Sequence, residues 1–256
     1  MIGDVFGDAG VRAAAAFINE TRRSRAADFI VANAENAAHR GSGLSKPAAA
    51  ALFDAGADVL TLGNHTFKDR DIHNLFKEYK HIIRPANYPE GAPGNGAVVC
   101  ETPCGPVGVV NLLGRLYMEA CDSPFGAIEG ILLALGEKTK TIIVDFHAEA
   151  TSEKKALAYC ADGMCSLVAG THTHVQTSDE QILPFGTAFI TDVGMTGPAD
   201  GIIGVKREAA IGRFRTLIPE RYTPAEGRVQ LNAVTADIDE RDGRATSINR
   251  INIIYD

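Results

Sequence analysis

In the stretch Leu167-Val-Ala-Gly-Thr-His-Thr-His174, an apolar run of strand character passes directly into two imidazoles. Leu167–Gly170 reads as a strand. His172 and His174 then stand at i and i+2, which in extended chain places both side chains on one side. The same pattern recurs along the sequence. Glu35 and Asn36 follow Phe29–Ala34, Asn64 and His65 follow Val59–Gly63, His147 follows Ile142–Phe146, and Asp4 follows Ile2-Gly3. In α/β folds the carboxyl ends of parallel strands deliver their loops to one crevice, so these residues are expected to converge.

The segments between these strand ends are helical in character. Helices are predicted over Gly10–Arg25, Pro47–Ala55, Asp69–Lys80, Gly126–Lys138, Ser152–Ala161 and Arg207–Thr216, with Ser45 and Pro47 suited to a helix start. Strands are predicted over Ile2–Phe6, Asp28–Ala32, Asp58–Leu62, Val98–Cys100, Val107–Leu113, Thr141–Phe146 and Thr187–Thr191. Arg84–Gly96, rich in proline and glycine, reads as a loop. Val229–Ile238 and Ala245–Ile254 alternate like two antiparallel strands around Asp242-Gly243. Alternating strands and helices indicate an α/β fold, and with no repeat or linker, residues 1–256 are expected to form one domain.

Composition narrows the partners. The 256 residues hold 32 Asp+Glu against 25 Lys+Arg, a formal charge of −7, which disfavours gripping long nucleic acid through a basic face. A small anionic substrate in a local site remains compatible with it. No apolar run approaches the ~18 residues of a membrane span, and no secretory signal is visible, so no membrane contact and a cytoplasmic location are expected. Five cysteines without metal or redox spacing read as free thiols.

Nitrogen and oxygen donors without thiolate suit manganese, iron or zinc better than calcium or magnesium. Two divalent cations bring four positive charges, of which Asp4 and Glu35 cancel two; the remainder suits a hydroxide and a phosphate. Taken singly, each signal has an ordinary explanation. Asp4 could cap a helix, Asn33 and Asn36 could be turn residues, and His39, His73 and His81 read as surface residues. Glu149 and Asp192 are candidate partners for ligand imidazoles or simply surface groups. Arg115 could bind phosphate, although a structural salt bridge is the commoner role for a single arginine.

At these residues the sequence resembles the calcineurin-like metallophosphoesterases, and more narrowly the bacterial YmdB-like family. The matching stretches are Ile2-Gly-Asp-Val, Ala32-Asn-Ala-Glu-Asn-Ala, Thr61-Leu-Gly-Asn-His-Thr, Arg84-Pro-Ala-Asn-Tyr-Pro-Glu-Gly, Val144-Asp-Phe-His-Ala-Glu-Ala-Thr-Ser-Glu-Lys, Gly170-Thr-His-Thr-His-Val-Gln-Thr and Thr191-Asp-Val-Gly-Met-Thr-Gly. The resemblance implies a four-layer α/β/β/α sandwich with two metal ions, commonly iron or manganese. It implies that Asp4, Glu35, Asn36 and His174 hold one ion, and that Glu35 bridges to a second held by Asn64, His147 and His172. His65 would be the general acid. The implied activity is hydrolysis of small cyclic nucleotides such as 2′,3′-cAMP to the 3′-phosphate by a metal-bridging hydroxide. A broad-specificity phosphomonoesterase or phosphodiesterase, a non-catalytic nucleotide sensor and a zinc-stabilised domain are the alternatives, and a homo-oligomer is left open. In the family an apolar run precedes Gly-Asp, whereas here only Met1 and Ile2 precede Gly3. Either the front is shorter by a few residues or the first strand is truly short, and a stub of strand would hold Asp4 loosely.

Overall fold

The computed structural model describes residues 1–256. In chain order the elements are β1 (Asp4–Val5), α1 (Gly7–Ser24), β2 (Val31–Asn33), α2 (Lys46–Ala55), β3 (Val59–Thr61), α3 (Ile72–Glu78), β4 (Ile82–Ile83), β5 (Ala97–Cys100) and β6 (Val107–Leu113). They continue with α4 (Pro124–Gly136), β7 (Thr141–His147), α5 (Thr151–Ala161), β8 (Leu167–Thr171), β9 (Gln181–Ile182), β10 (Ala188–Ile190), β11 (Met195–Pro198), α6 (Arg207–Thr216), β12 (Val229–Ile238) and β13 (Ala245–Tyr255).

Strand β2 pairs in parallel with β3, and β3 with β4. A second group runs β1-β11-β12-β13. Ile2 joins the two groups: its N–H donates to Val31 O at 2.8 Å, its carbonyl accepts from Asn33 N at 3.1 Å, and Gly3 N donates to Asn232 O at 3.0 Å. The other sheet runs β5-β6-β7-β8-β10-β9, parallel through its four central strands and antiparallel at both edges.

Successive residues of a strand face opposite ways, and the apolar clusters divide accordingly. Ala32, Leu60 and Ile82 pack with Val11, Ala14 and Ile18 of α1 and with Ala49 and Leu52 of α2. Their neighbours Val31, Val59 and Ile83 pack instead with Val109, Ile143 and Leu167 of the other sheet. Val110, Val144 and Val168 turn the opposite way and meet Ile128 and Leu132 of α4 and Leu157 of α5. Burial on both faces explains why β6, β7 and β8 are nearly continuous apolar runs.

Several local expectations need correction. Helix α1 begins at Gly7, three residues before the expected Gly10, because Gly7 adopts φ 61° and turns the chain directly out of β1. Helix α3 covers only Ile72–Glu78. Ser45 occupies the N-cap position of α2 but makes no side-chain capping bond. Strands β4, β9 and β11 were not expected. The strand at Asp4 is indeed short, yet Asp4 is not loose: it is fully buried, and Phe6 N donates to Thr196 O at 2.8 Å just beyond it. No helix is long and apolar enough to cross a membrane. All five cysteines are free.

Candidate metal centre

The eight residues picked out at the strand ends meet in one network. Asp4 comes from β1, and close approach of backbones fixes it there: a Cβ on Gly3 would lie 1.9 Å from Gly194 O. Its Oδ2 accepts from His172 N at 3.0 Å. Its Oδ1 is buried with no hydrogen-bond partner, 3.8 Å from His147 Nδ1 and 3.9 Å from His174 Nε2. Glu35 and Asn36 follow β2. Glu35 Oε2 accepts from His65 N at 2.9 Å, and Oε1 lies 3.2 Å from His147 Nε2 and 3.3 Å from His65 Nδ1. Asn36 spans two imidazoles, with Oδ1 2.6 Å from His65 Nδ1 and Nδ2 3.2 Å from His174 Nε2. After β3, Asn64 Oδ1 stands 3.0 Å from His147 Nε2.

Gly63 shows how tightly the centre is drawn. A Cβ there would lie 2.4 Å from Glu35 Oε2 and 2.5 Å from His147 Nε2, so only glycine lets this strand end approach. Its carbonyl accepts from Tyr88 Oη at 3.1 Å, and Tyr88 stacks on Phe67 at 5.8 Å between centroids. These contacts set the wall beside His65, which is about a third exposed, with its side chain at 31 %.

Three residues that sequence reasoning passed over, Thr171, Asp145 and Thr61, aim His147 together with Asn33, for which a turn role was open. Thr171 Oγ1 donates to Asp145 Oδ1 at 2.7 Å, so its lone pair faces His147 Nδ1 at 2.9 Å and accepts from it. That places the Nδ1 proton on the Thr171 side and turns Nε2 toward Glu35, Asn64 and His172. Asp145 is held in turn by Thr61 Oγ1 and by Asn33 Nδ2, the latter at 2.9 Å. Asn33 is therefore no turn residue; it is fully buried beneath the centre. Burial pushes the Asp145 carboxyl up to about 6.

The His172-Thr-His174 segment is not extended, contrary to expectation. Strand β8 ends at Thr171, and His172 and His174 take φ of 105° and 66°. Non-glycine residues enter this region at a cost, so the surroundings must hold them there. Asp192 does so through Thr173, accepting from its N–H at 3.1 Å and its hydroxyl at 2.8 Å. Lys154 Nζ donates to the same Asp192 oxygen at 2.7 Å, and both groups of this pair are fully buried. His172 Nε2 meets Glu149 at 3.2 Å, leaving Nδ1 3.1 Å from His147 Nε2. His174 Nδ1 donates to Ile203 O at 2.9 Å, leaving Nε2 toward Asn36 and Asp4. Asp192 thus supports the segment between the imidazoles rather than an imidazole itself.

Glu35, His147 and His172 present donor atoms within 4.8 Å of one another, the spacing of a metal-holding cluster. No cysteine joins them, and the unsatisfied Asp4 Oδ1 faces the same space. Such a donor set fits divalent metal ions. The charges are arranged to match. Burial raises the Asp4 carboxyl, and it would raise Glu35 too, but His147 and His65 hold Glu35 well below the usual carboxylate range. Burial opposes a proton on His147, yet Glu35 draws its pKa up to about 9. His172 is pushed down to about 3 by burial and by His147.

The histidines set aside from the sequence stay apart: His39 pairs with Asp8 at the surface, and His73 and His81 are exposed. Arg115 makes no salt bridge; its main-chain N–H donates to Glu153 at 2.9 Å.

A family model described as YmdB-like protein matches residues 1–251. The 2′,3′-cyclic-nucleotide 2′-phosphodiesterase of Bacillus subtilis (strain 168) is 44 % identical over 250 residues, covering 98 % of this chain and 94 % of that protein. A crystal structure of a hypothetical protein from Thermus thermophilus superposes with a TM-score of 0.92 at 39 % identity, covering 99 % of this chain and 97 % of that one. A Mycoplasma pneumoniae structure described as a novel phosphatase gives 0.90 at 34 % identity, covering 99 % and 92 %. With the match running through nearly the whole length and through every strand end that feeds the centre, the chain belongs to the YmdB-like protein family.

Proposed function

We propose that this protein is a metal-dependent phosphodiesterase that opens 2′,3′-cyclic nucleotides to nucleoside 3′-phosphates. The observation that carries this reading is the buried, unpartnered Asp4 Oδ1 facing the Glu35–His147–His172 cluster. The activity of the Bacillus relative supports the substrate. Asp4, Glu35, Asn36 and His174 would hold one ion, and Glu35, Asn64, His147 and His172 a second; such donors suit manganese, iron or zinc, and the family resemblance favours iron or manganese among them. Bound there, two ions would acidify a water toward neutral pH and offset the charge on the phosphate oxygens.

The chain's own residues supply the rest. His65 Nδ1 faces Asn36 Oδ1, so the ring is oriented and Nε2 is left toward the open side. From there His65 protonates the departing ribose 2′ oxygen, a general-acid role. Glu35, kept ionised by its histidines, accepts His65 N–H and so positions that ring from its main chain as well. The three apolar clusters support a four-layer α/β/β/α reading of residues 1–256 as one domain. Five free cysteines fit work in a reducing cytoplasm.

The test is turnover of 2′,3′-cAMP by protein loaded with Mn²⁺ or Fe²⁺, with 3′-AMP and 2′-AMP separated among the products and metal counted per chain. Two ions and 3′-AMP are expected; 2′-AMP, or a single ion, would overturn the reading. A phosphomonoesterase is the second reading, favoured by the phosphatase description of the Mycoplasma structure. Faster release of phosphate from a nucleoside monophosphate than opening of the cyclic ester would establish it.

A further inference from the structure

The stretch Arg84-Pro-Ala-Asn-Tyr-Pro-Glu-Gly supplies no ligand to the metal centre, yet two of its side chains are buried to hold its shape. The Arg84 guanidinium donates to the carbonyls of Pro85 at 2.7 Å and Ala92 at 3.1 Å, closing the loop on itself. Asn87 donates to Leu113 O and Asp122 O, both at 2.8 Å, and accepts from Leu113 N at 2.8 Å. A buried cation is costly unless its donors are satisfied, and here main-chain oxygens satisfy them. Held by these anchors, Tyr88 donates from Oη to Gly63 O at 3.1 Å, two residues before His65.

Tyr88 is one step of an aromatic ledge. Its ring centroid lies 5.8 Å from that of Phe67 with 28° between the planes, and Phe67 lies 6.1 Å from His73 at 22°. Rings in full face-to-face contact would bring their centroids to roughly the 3.5–4.0 Å of carbon–carbon contact. At the observed separations they are slid past one another, which leaves much of each face uncovered. Phe67 is accordingly 42 % exposed, and it stands two residues beyond His65 on the same wall. A ring that served only to pack this turn would be covered.

We propose that this ledge stacks the nucleobase of the substrate and thereby decides which ester bond opens. This rests on the cyclic-nucleotide reading above and specifies how that substrate lies. In a 2′,3′-cyclic nucleotide, phosphorus is bonded to both O2′ and O3′, so two orientations present it to the same attack. Opening to the 3′-phosphate breaks P–O2′: phosphorus gains the oxygen of water, and O2′ takes the proton from His65. C2′, which bears O2′, is bonded to C1′, which bears the base. The base therefore lies on the side of the general acid, and the exposed aromatic surface on that side is Phe67. Turning the ester end for end would put O3′ at His65 and swing the base off the ledge. A base stacked on an aromatic side chain gains roughly five- to 150-fold in binding, and every base has a face to stack.

The test measures kcat, KM and the ratio of 3′-AMP to 2′-AMP from 2′,3′-cAMP, beside turnover of glycerol 1,2-cyclic phosphate, which has no base. Phe67→Ala, at an exposed position, is expected to raise KM for 2′,3′-cAMP by roughly five- to 150-fold and to let 2′-AMP appear among the products. Phe67→Trp is expected to keep the parent KM and the parent product. On the base-free ester Phe67→Ala is expected to lose far less. A turn merely loosened by the substitution would slow both esters alike and would not be repaired by tryptophan. Calorimetric titration with 3′-AMP reads the ledge without turnover, and weaker binding to Phe67→Ala is expected. An unchanged KM and product ratio in Phe67→Ala, or an equal loss on the base-free ester, would overturn the ledge while leaving the phosphodiesterase reading in place. Absence of any cyclic-ester hydrolysis by the parent would instead sink that reading, and the titration would still decide the ledge, equal binding of 3′-AMP by parent and variant overturning it.

Discussion

Replacing Lys154 by methionine isolates what holds the two imidazoles after β8. The side chain fits the same space, but the Asp192 carboxylate then lies buried without its cation. Breaking a buried pair from one side costs roughly 3–5 kcal/mol. Asp192 keeps three donors, Thr173 N at 3.1 Å, Thr173 Oγ1 at 2.8 Å and Gly194 N at 2.8 Å, which puts the expected loss at the lower end, about 3 kcal/mol. At this chain length that is a fall in Tm of about 6–12 °C. Thr173 lies between His172 and His174, both at positive φ, so the variant is also expected to bind metal less tightly. Urea unfolding gives the stability and metal analysis after dialysis gives the retention. The double variant Lys154→Met with Asp192→Asn, which removes the unpaired charge, should regain part of the stability. A single variant within about 1 kcal/mol of the parent, or a double variant less stable than the single, would refute the reasoning.

Three further outcomes follow from the centre. His65→Ala should lower kcat by roughly 10²- to 10⁴-fold while metal content per chain stays at the parent value, read by steady-state kinetics beside metal analysis. Gly63→Ala should abolish metal retention, because its Cβ would lie 2.4 Å from Glu35 Oε2; an alanine variant that keeps both metal and activity would contradict this packing. The proton that Glu35 draws onto His147 must leave when a metal ion arrives, so metal affinity should rise with pH up to about 9, with proton release measurable by calorimetry in two buffers. Without metal the sign is opposite: a histidine raised above its ordinary 6.5 stabilises the fold fully below that value, and the contribution is lost as pH climbs through about 9.

The strand ends were legible because apolar β-branched runs stop abruptly at Glu35, Asn64, His147 and His172, and only a crevice gives such endings a common purpose. The supporting residues were not. Asn33, Thr61, Asp145 and Thr171 are single polar positions within or beside strands, which in sequence look like turns or solvent-facing places. Lys154 reads as an ordinary surface lysine on α5, since nothing local shows that Asp192 waits above it. Strands of two to four residues such as β4 and β11 are too brief to display an alternation. The turn at His172 and His174 depends on bonds from Asp4, Asp192 and Ile203, all distant in sequence, so no local pattern announces it.

The bonds beneath His147 have a consequence for how the molecule assembles. Asn33 and Thr61 belong to one sheet, Asp145 and Thr171 to the other, and they meet across an otherwise apolar contact. If one sheet slid along the other by a single pleat, a carboxylate would be stranded in hydrocarbon, at a cost of several kcal/mol. The two sheets therefore have one admissible alignment, and it is the alignment that aims the imidazole. Catalytic geometry in this fold is keyed by the same pins that tell the sheets where to stop.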